Sequence, residues 1–393
     1  MRLPRIAPST LLGLLGAVGL LFFTNGIGIG IAHADTRYVA SYGVDGPSCG
    51  TAAAPCRSIT QALTLAGSGG RVIVGPGRYG DLDADGVLGE AGEEPVPGAC
   101  NCMILIAQPV TLESTGGAGA TVISVPSTVS FGVRVQADDV VFGKKTRGFT
   151  ISGGFTVMQV DLGFKHANIA GDRITAGMST GLSMGGSDHM IVGNTAVGNG
   201  GAGFALGGVA STGFKISKNF AAENGQQGFN IRGGGFKVIG NVASNNRGDG
   251  IGVFYDTFDP TAAVTGNVAA GNAGIGFTLG TGAIFPVTPT ARRNAAVGNR
   301  RGGVFMAGNG VRVEDSNIFG NGSVPDVAGA GGLLNCGIIS GLPTPVVAED
   351  NFWGASTGPG ADPADAVCVK GAGSVDAVPF ATEPFNVKPG AGK

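Results

Sequence analysis

The sequence predicts an all-β solenoid, on the strength of a repeat, a strand-like apolar pattern and the lack of helix-length segments within each unit. Asn194 and Asn199 sit five apart in "GNTAVGNGGAGFALGG", Gly193–Gly208, and the pair recurs as Asn219/Asn224, Asn241/Asn246, Asn267/Asn272 and Asn294/Asn299. Asp172/Gly177 precede and Ser316/Asn321 follow in the same frame, with steps of 22, 25, 22, 26, 27 and 22 residues. Ten positions after the first member of each pair stand Leu182, Phe204, Phe229, Ile251, Phe277 and Val304, and twelve after stand Met184, Leu206, Ile231, Val253, Leu279 and Met306. Two apolar columns two residues apart share one face of a strand. Further columns run three before the register residue (Ile169 to Val313) and two after it (Ile174 to Ile318). Such a unit cannot bury its own apolar face, so units stack and build a continuous core.

The first 34 residues read as a leader. "MRLPR" supplies positive charge, "LLGLLGAVGLLFF" is apolar, and "AHA" at Ala32–Ala34 has the small-x-small form of a cleavage site. The expectation is a secreted or periplasmic chain starting at Asp35, with no membrane span thereafter. Next, in "PCRSITQALTLAGSGGRVIVGPGRYG", Pro55–Gly80, Ile59, Ala62, Leu63 and Ala66 fall on one face of a short helix. A strand at Arg71–Val74 and a Pro-Gly turn follow.

"GDLDADGVLGEAGEE", Gly80–Glu94, is the sharpest chemical motif. Asp81, Asp83 and Asp85 alternate before Gly86, as in the first half of a calcium loop. The twelfth position, where that pattern wants a bidentate Glu, is Gly92; Glu90, Glu93 or Glu94 could substitute. The expectation is a structural Ca²⁺, and the alternative a solvated acidic turn.

Within the coils, a stacked Asn at a bend can hydrogen-bond to its copies above and below, so the asparagines read as an internal ladder rather than a sugar-binding row. A glycine precedes the first inward column in every unit, Gly181 to Gly303, and is assigned to corners of positive φ. All six cysteines follow the leader, and an even count in an exported chain suggests disulfides. Cys49 with Cys56 would close a short loop, and Cys336 with Cys368 would pin the C-terminal end. Cys100 and Cys102 stay unassigned, and a zinc site would need a second ligand pair.

The coils, the Pro55–Gly80 segment and "DNFWGASTGPG" (Asp350–Gly360) resemble right-handed parallel β-helix proteins of the pectin-lyase-like superfamily. The resemblance covers most of the chain after the leader. It implies a cap over residues 35–80, a right-handed parallel β-helix over 81–356, and a C-terminal tail and cap over 357–393. Trp353, the only tryptophan, then reads as a core plug. For the lyases of that group, the resemblance implies a Ca²⁺ against the substrate carboxylate and a Lys or Arg base. Asp188–His189 stands without a flanking Trp, no R-x-P-x-x-R occurs, and no Asp pair accompanies His166 or His189 at a matching outward position.

Composition narrows the function. Gly makes up 75 of 393 residues, yet 43% are hydrophobic and no triplet period exists, which excludes a collagen-like chain. Only 13% are charged and the net charge is −2, which argues against disorder and against nucleic-acid binding. The outward strand positions are mostly small and uncharged. Their middle alone is decorated, by Asn230, Arg232 and Phe254, followed by the extra loop "YDTFDP" with Tyr255, Asp256 and Asp259. Rings stack on sugars and Arg pairs with a carboxylate, so these six residues are the candidate contact for a polysaccharide or cell-envelope glycan. The expectation is an exported, non-catalytic carbohydrate-binding or structural β-helix. The alternative is a lyase or epimerase acting on an acidic, uronate-containing glycan.

Overall fold

A computed structural model describes residues 35–96, 98, 100–256, 262–281, 290–308, 310–325 and 327–387. The proposed leader lies outside the described residues. Among them, no helix is long and apolar enough to cross a membrane.

The chain winds into a parallel β-helix in which each inner coil gives one short strand to each of three sheets, of thirteen, ten and eleven strands among the described residues. One coil runs Met190–Val192, Thr195–Val197 and Phe204–Thr212, and each strand pairs in parallel with its copy in the next coil. The predicted columns are the ladders of this pairing. Leu182, Phe204, Phe229, Ile251, Phe277 and Val304 are successive register partners in the eleven-stranded sheet, and all are buried. Phe204 and Phe229 stack with centroids 4.7 Å apart and planes 7° from parallel. Ile251 separates Phe229 from Phe277, so the three rings share a sheet without forming one stack.

The asparagines form two ladders, both buried. In the first, each Asn donates its backbone N–H and Nδ2–H to Oδ1 of the next: Asn194 to Asn219, Asn219 to Asn241, Asn241 to Asn267 and Asn267 to Asn294. The second ladder repeats this from Asn199 to Asn321. The left-handed residue is the one before each Asn rather than the Asn itself: Gly193, Lys218, Gly240, Gly266 and Arg293 in the first ladder all have φ between 54° and 69°.

The glycine column needs correction. Gly181, Gly203, Gly228, Gly250, Gly276 and Gly303 do not have positive φ. They are small because the second ladder lies against them. A Cβ on Gly203 would meet Asn224 Nδ2 at 2.8 Å and the Gly228 carbonyl at 2.9 Å, and one on Gly228 would meet Asn246 Nδ2 at 2.8 Å. Close approach, not backbone freedom, selects glycine there.

Each ladder also holds an acid at one end. Asp172 opens the first: it accepts from Phe149 N at 2.7 Å, while its Oδ2 is buried with no hydrogen-bond partner among the described residues. Asp365 closes the second, accepting from the N and Nδ2 of Asn321. Burial pushes the Asp172 carboxyl well above the usual range and that of Asp365 up to about 7. The folded state therefore holds these protons more tightly than the unfolded chain does. Their contribution is fully present below about pH 4 and is lost as pH rises through the folded values, at most roughly 1.4 kcal/mol per pH unit for each group. Asp365→Asn should flatten the fall in stability between pH 4.5 and 7, and Asp172→Asn should stabilise the protein at pH 7 by roughly 1–3 kcal/mol by restoring a rung of the ladder. Urea midpoints at the two pH values test both; variants that track the parent protein would rule these acids out as the source.

At the N-terminal end, the helix Ile59–Ala66 buries Ile59, Ala62, Leu63 and Ala66 as expected, and Ser58 caps it by accepting from Gln61 N. The solenoid starts earlier and ends later than 81–356. Thr36–Val39 already pairs with Gly70–Val74, and Ala366–Val369 and Val375–Asp376 continue two of the sheets past Gly360. These strands lie outside the 22-residue frame because long insertions separate them. Trp353 is fully buried, and the Asn351 beside it accepts from Ser316 N as the last rung of the first ladder. Disulfides join Cys49–Cys56, Cys336–Cys368 and also Cys100–Cys102.

Candidate functional site

The decorated face lies on the outside of the eleven-stranded sheet. Parallel register sets Asn230 beside Gly252 and Arg232 beside Phe254. Asn230 and Arg232 are exposed. The Phe254 ring lies flat across the sheet: the positions a Cβ would take on Gly252 and Gly280 fall 3.1 and 2.9 Å from it. Arg232 Nε donates to Asp256 Oδ2 at 2.7 Å, with the Arg side chain 56% and the Asp side chain 13% exposed. Ser183, Ala205 and Gly207 extend the strip with small side chains.

Tyr255 does not belong to this surface. It is 3% exposed and packs in the core cluster, and burial pushes its phenol pKa up. Strand parity explains this: Val253 points in and Phe254 out, so Tyr255 points in again. Asp259 lies outside the described residues.

The same Arg-to-Asp device occurs four coils earlier on this sheet. Arg134 pairs in register with Gln159 and reaches the outward Asp161, with Nη2 2.8 Å from Oδ2, while Gln136 Nε2 donates to the same oxygen at 2.7 Å. Arg134 and Gln136 line a groove of about 710 Å³ between the capping helix and the strand Cys102–Ile106, with Thr60, Leu63 and Gln108 opposite. Nothing in the repeat marked this cluster, because Arg134 and Asp161 precede the first in-frame coil. A third group, on the thirteen-stranded sheet, is a buried carboxylate: Glu113 pairs with Lys144 and Arg147 at 2.9 Å each, and with Arg71.

The two described histidines are accounted for by packing and by a surface pair. His189 is fully buried; Nδ1 accepts from Ala167 N at 2.9 Å, Nε2 donates to the Gly185 carbonyl at 2.8 Å, and burial lowers its pKa. His166 is exposed, with Nδ1 3.1 Å from Asp139 Oδ1 of the preceding coil.

The acidic loop separates the glutamates that the sequence left open. Carboxylate oxygens of Asp81, Asp83 and Asp85 lie within 4.8 Å of one another, and so do those of Asp83, Glu90 and Glu93. Glu94 turns the other way and accepts from the first-turn amides of the capping helix, Ile59 N at 2.7 Å and Thr60 N at 3.0 Å. Asp85, then Asp83, push the Glu90 carboxyl up by repulsion.

Residues 162–341 match the family model described as right handed beta helix region. Among solved structures, the A-module of the Azotobacter vinelandii mannuronan C-5 epimerase AlgE6 superposes with a TM-score of 0.52 at 16% identity, covering 83% of this chain and 94% of that one. A rhamnogalacturonan lyase superposes with a TM-score of 0.52 at 14% identity, covering 89% of each chain. No curated protein matches the chain in sequence. At these identities the likeness shows the fold, a right-handed parallel β-helix.

Proposed function

We propose that this protein is an exported β-helix that binds an acidic glycan along the outer face of its eleven-stranded sheet without transforming it. The observation that carries the reading is the row Asn230, Arg232 and Phe254, displayed on adjacent coils beside the small residues Ser183, Ala205 and Gly207. A rigid flat face suits an extended chain of sugars: a guanidinium holds a carboxylate while a half-buried ring supports the apolar side of a pyranose. Asp256 orients Arg232 by an exposed ion pair, which a ligand carboxylate can share. Three disulfides support an oxidising compartment.

Arg232→Ala should weaken binding of a polyuronate about tenfold and leave the melting temperature and the weaker binding of neutral glycans unchanged. Equal polyuronate affinity in parent and variant would remove the site. The same incubations, examined for unsaturated ends and for inverted uronate residues, test the second half. Either product would replace a binding protein with the lyase or epimerase alternative, which the two structural relatives represent by their own activities.

A further inference from the structure

We propose that Asp81, Asp83, Asp85, Glu90 and Glu93 form a calcium site that fastens the N-terminal cap to the solenoid. This site is independent of the glycan reading. Two triads of carboxylates meet at Asp83, each with its oxygens within 4.8 Å of one another. A cluster of acids alone would be no site; Glu93 supplies the second observation. It is 7% exposed, its Oε1 accepts from Leu82 N at 2.7 Å, and its Oε2 is buried with no hydrogen-bond partner among the described residues. No Lys, Arg or His forms an ion pair with any of the five among the described residues. A buried carboxylate set beside two others, with one of its oxygens lacking a donor, is unfavourable, and a cation between them removes the conflict.

The loop is built to hold these oxygens in place. Asp81 accepts from Ala84 N and Gly86 N, Asp83 from Asp85 N, and Asp85 from Val87 N, so each carboxylate is fixed by the backbone and keeps free lone pairs. Gly86, at φ 91°, makes the turn that bends the chain back. An all-carboxylate set on an irregular loop suits Ca²⁺, which takes six to eight oxygens in variable geometry, better than Mg²⁺, which demands a tight octahedron and keeps its waters.

The link to the cap is covalent. Glu93 faces the cluster and Glu94 holds the first two amides of the helix Ile59–Ala66. The backbone of Glu94 is itself pinned, its N–H to the Gly80 carbonyl and its carbonyl to Gly89 N. Fixing Glu93 on an ion therefore fixes the acceptor that starts the capping helix.

The test uses the purified protein stripped with EDTA and titrated calorimetrically with CaCl₂. The expected result is one Ca²⁺ per chain, a higher melting temperature, and exchange of the Ile59 and Thr60 amide hydrogens slowed about tenfold. Glu93→Gln, which keeps the acceptor for Leu82, should weaken Ca²⁺ at least tenfold and abolish the slowing. Asp83→Asn, at an exposed position, should weaken it similarly without threatening the fold. The proposal fails if no heat is released and the melts coincide, if both variants bind like the parent, or if Mg²⁺ binds as tightly as Ca²⁺. Binding that leaves the two helix amides unprotected would overturn the link to the cap.

Discussion

Asn246→Ala will destabilise the protein by about 4 kcal/mol or more, although the residue is a small polar amide. Asn246 Oδ1 accepts from Asn224 N and Nδ2, its Nδ2 donates to the Ala221 carbonyl and to Asn272 Oδ1, and every one of these bonds is buried. Alanine leaves the Asn224 backbone N–H without its acceptor, breaks one of the two Nδ2–H bonds of Asn224 (the other goes to the Ala196 carbonyl) and takes a donor from the Ala221 carbonyl, three buried bonds lost at roughly 1–3 kcal/mol each. The space is too close to other chain atoms for water to enter easily: a Cβ on Gly228 would already lie 2.8 Å from Nδ2. Asn246→Asp is the informative companion. It keeps the acceptor and removes the donor, so it should fall between parent and alanine at low pH and approach alanine at pH 8. Equilibrium denaturation measures all three. A loss below about 1 kcal/mol for alanine would mean that the ladder is ornamental and that strand pairing alone holds the coils.

Phe229→Ala will cost about 3–5 kcal/mol, the range for emptying a buried aromatic site. The side chain is fully buried between Phe204 and Ile251, and it loses its stacking partner as well as its own contacts. The flat β-helix wall cannot collapse into the hole, because each neighbour is fixed by parallel pairing on both sides. Phe229→Leu should recover more than half of the loss. Since coils interact mainly with their neighbours, the variant should also broaden the transition, with the halves on either side of coil 229 melting apart. A cooperative transition and a loss under 1.5 kcal/mol would show that the core is looser than its geometry.

The coils were legible because period two survives any change of loop length: both inward columns, read from Leu182 to Met306, are register partners in the structure. Parity would also have placed Tyr255 inside, had the alternation been carried one residue past Phe254. The glycine column was found but misread, because sequence does not distinguish a residue that needs positive φ from one with a neighbour at 2.8 Å. Pairs between coils were the least legible part. Arg134 and Asp161, or His166 and Asp139, lie 27 residues apart and meet only through the winding of the chain. The choice among Glu90, Glu93 and Glu94 likewise depended on the capping helix, whose free amides claim Glu94.

The asparagine ladders have a head and a tail. Each Asn that is followed by another Asn gives two N–H bonds forward to the next coil and one Nδ2–H bond back to a carbonyl of the coil before, as Asn219 does, so the seam is not symmetric under reversal. Its forward end presents donors and needs an acceptor, which Asp365 provides in one ladder and Asn351 in the other. Interior coils are therefore interchangeable modules, while the two ends are not. Duplicating the 22 residues from Asn219 to Gly240 inserts a rung that both neighbours already fit, whereas a chain cut after Asn321 ends on unanswered donors. Length in this architecture can change by whole coils from within, and the ends decide only where the winding stops.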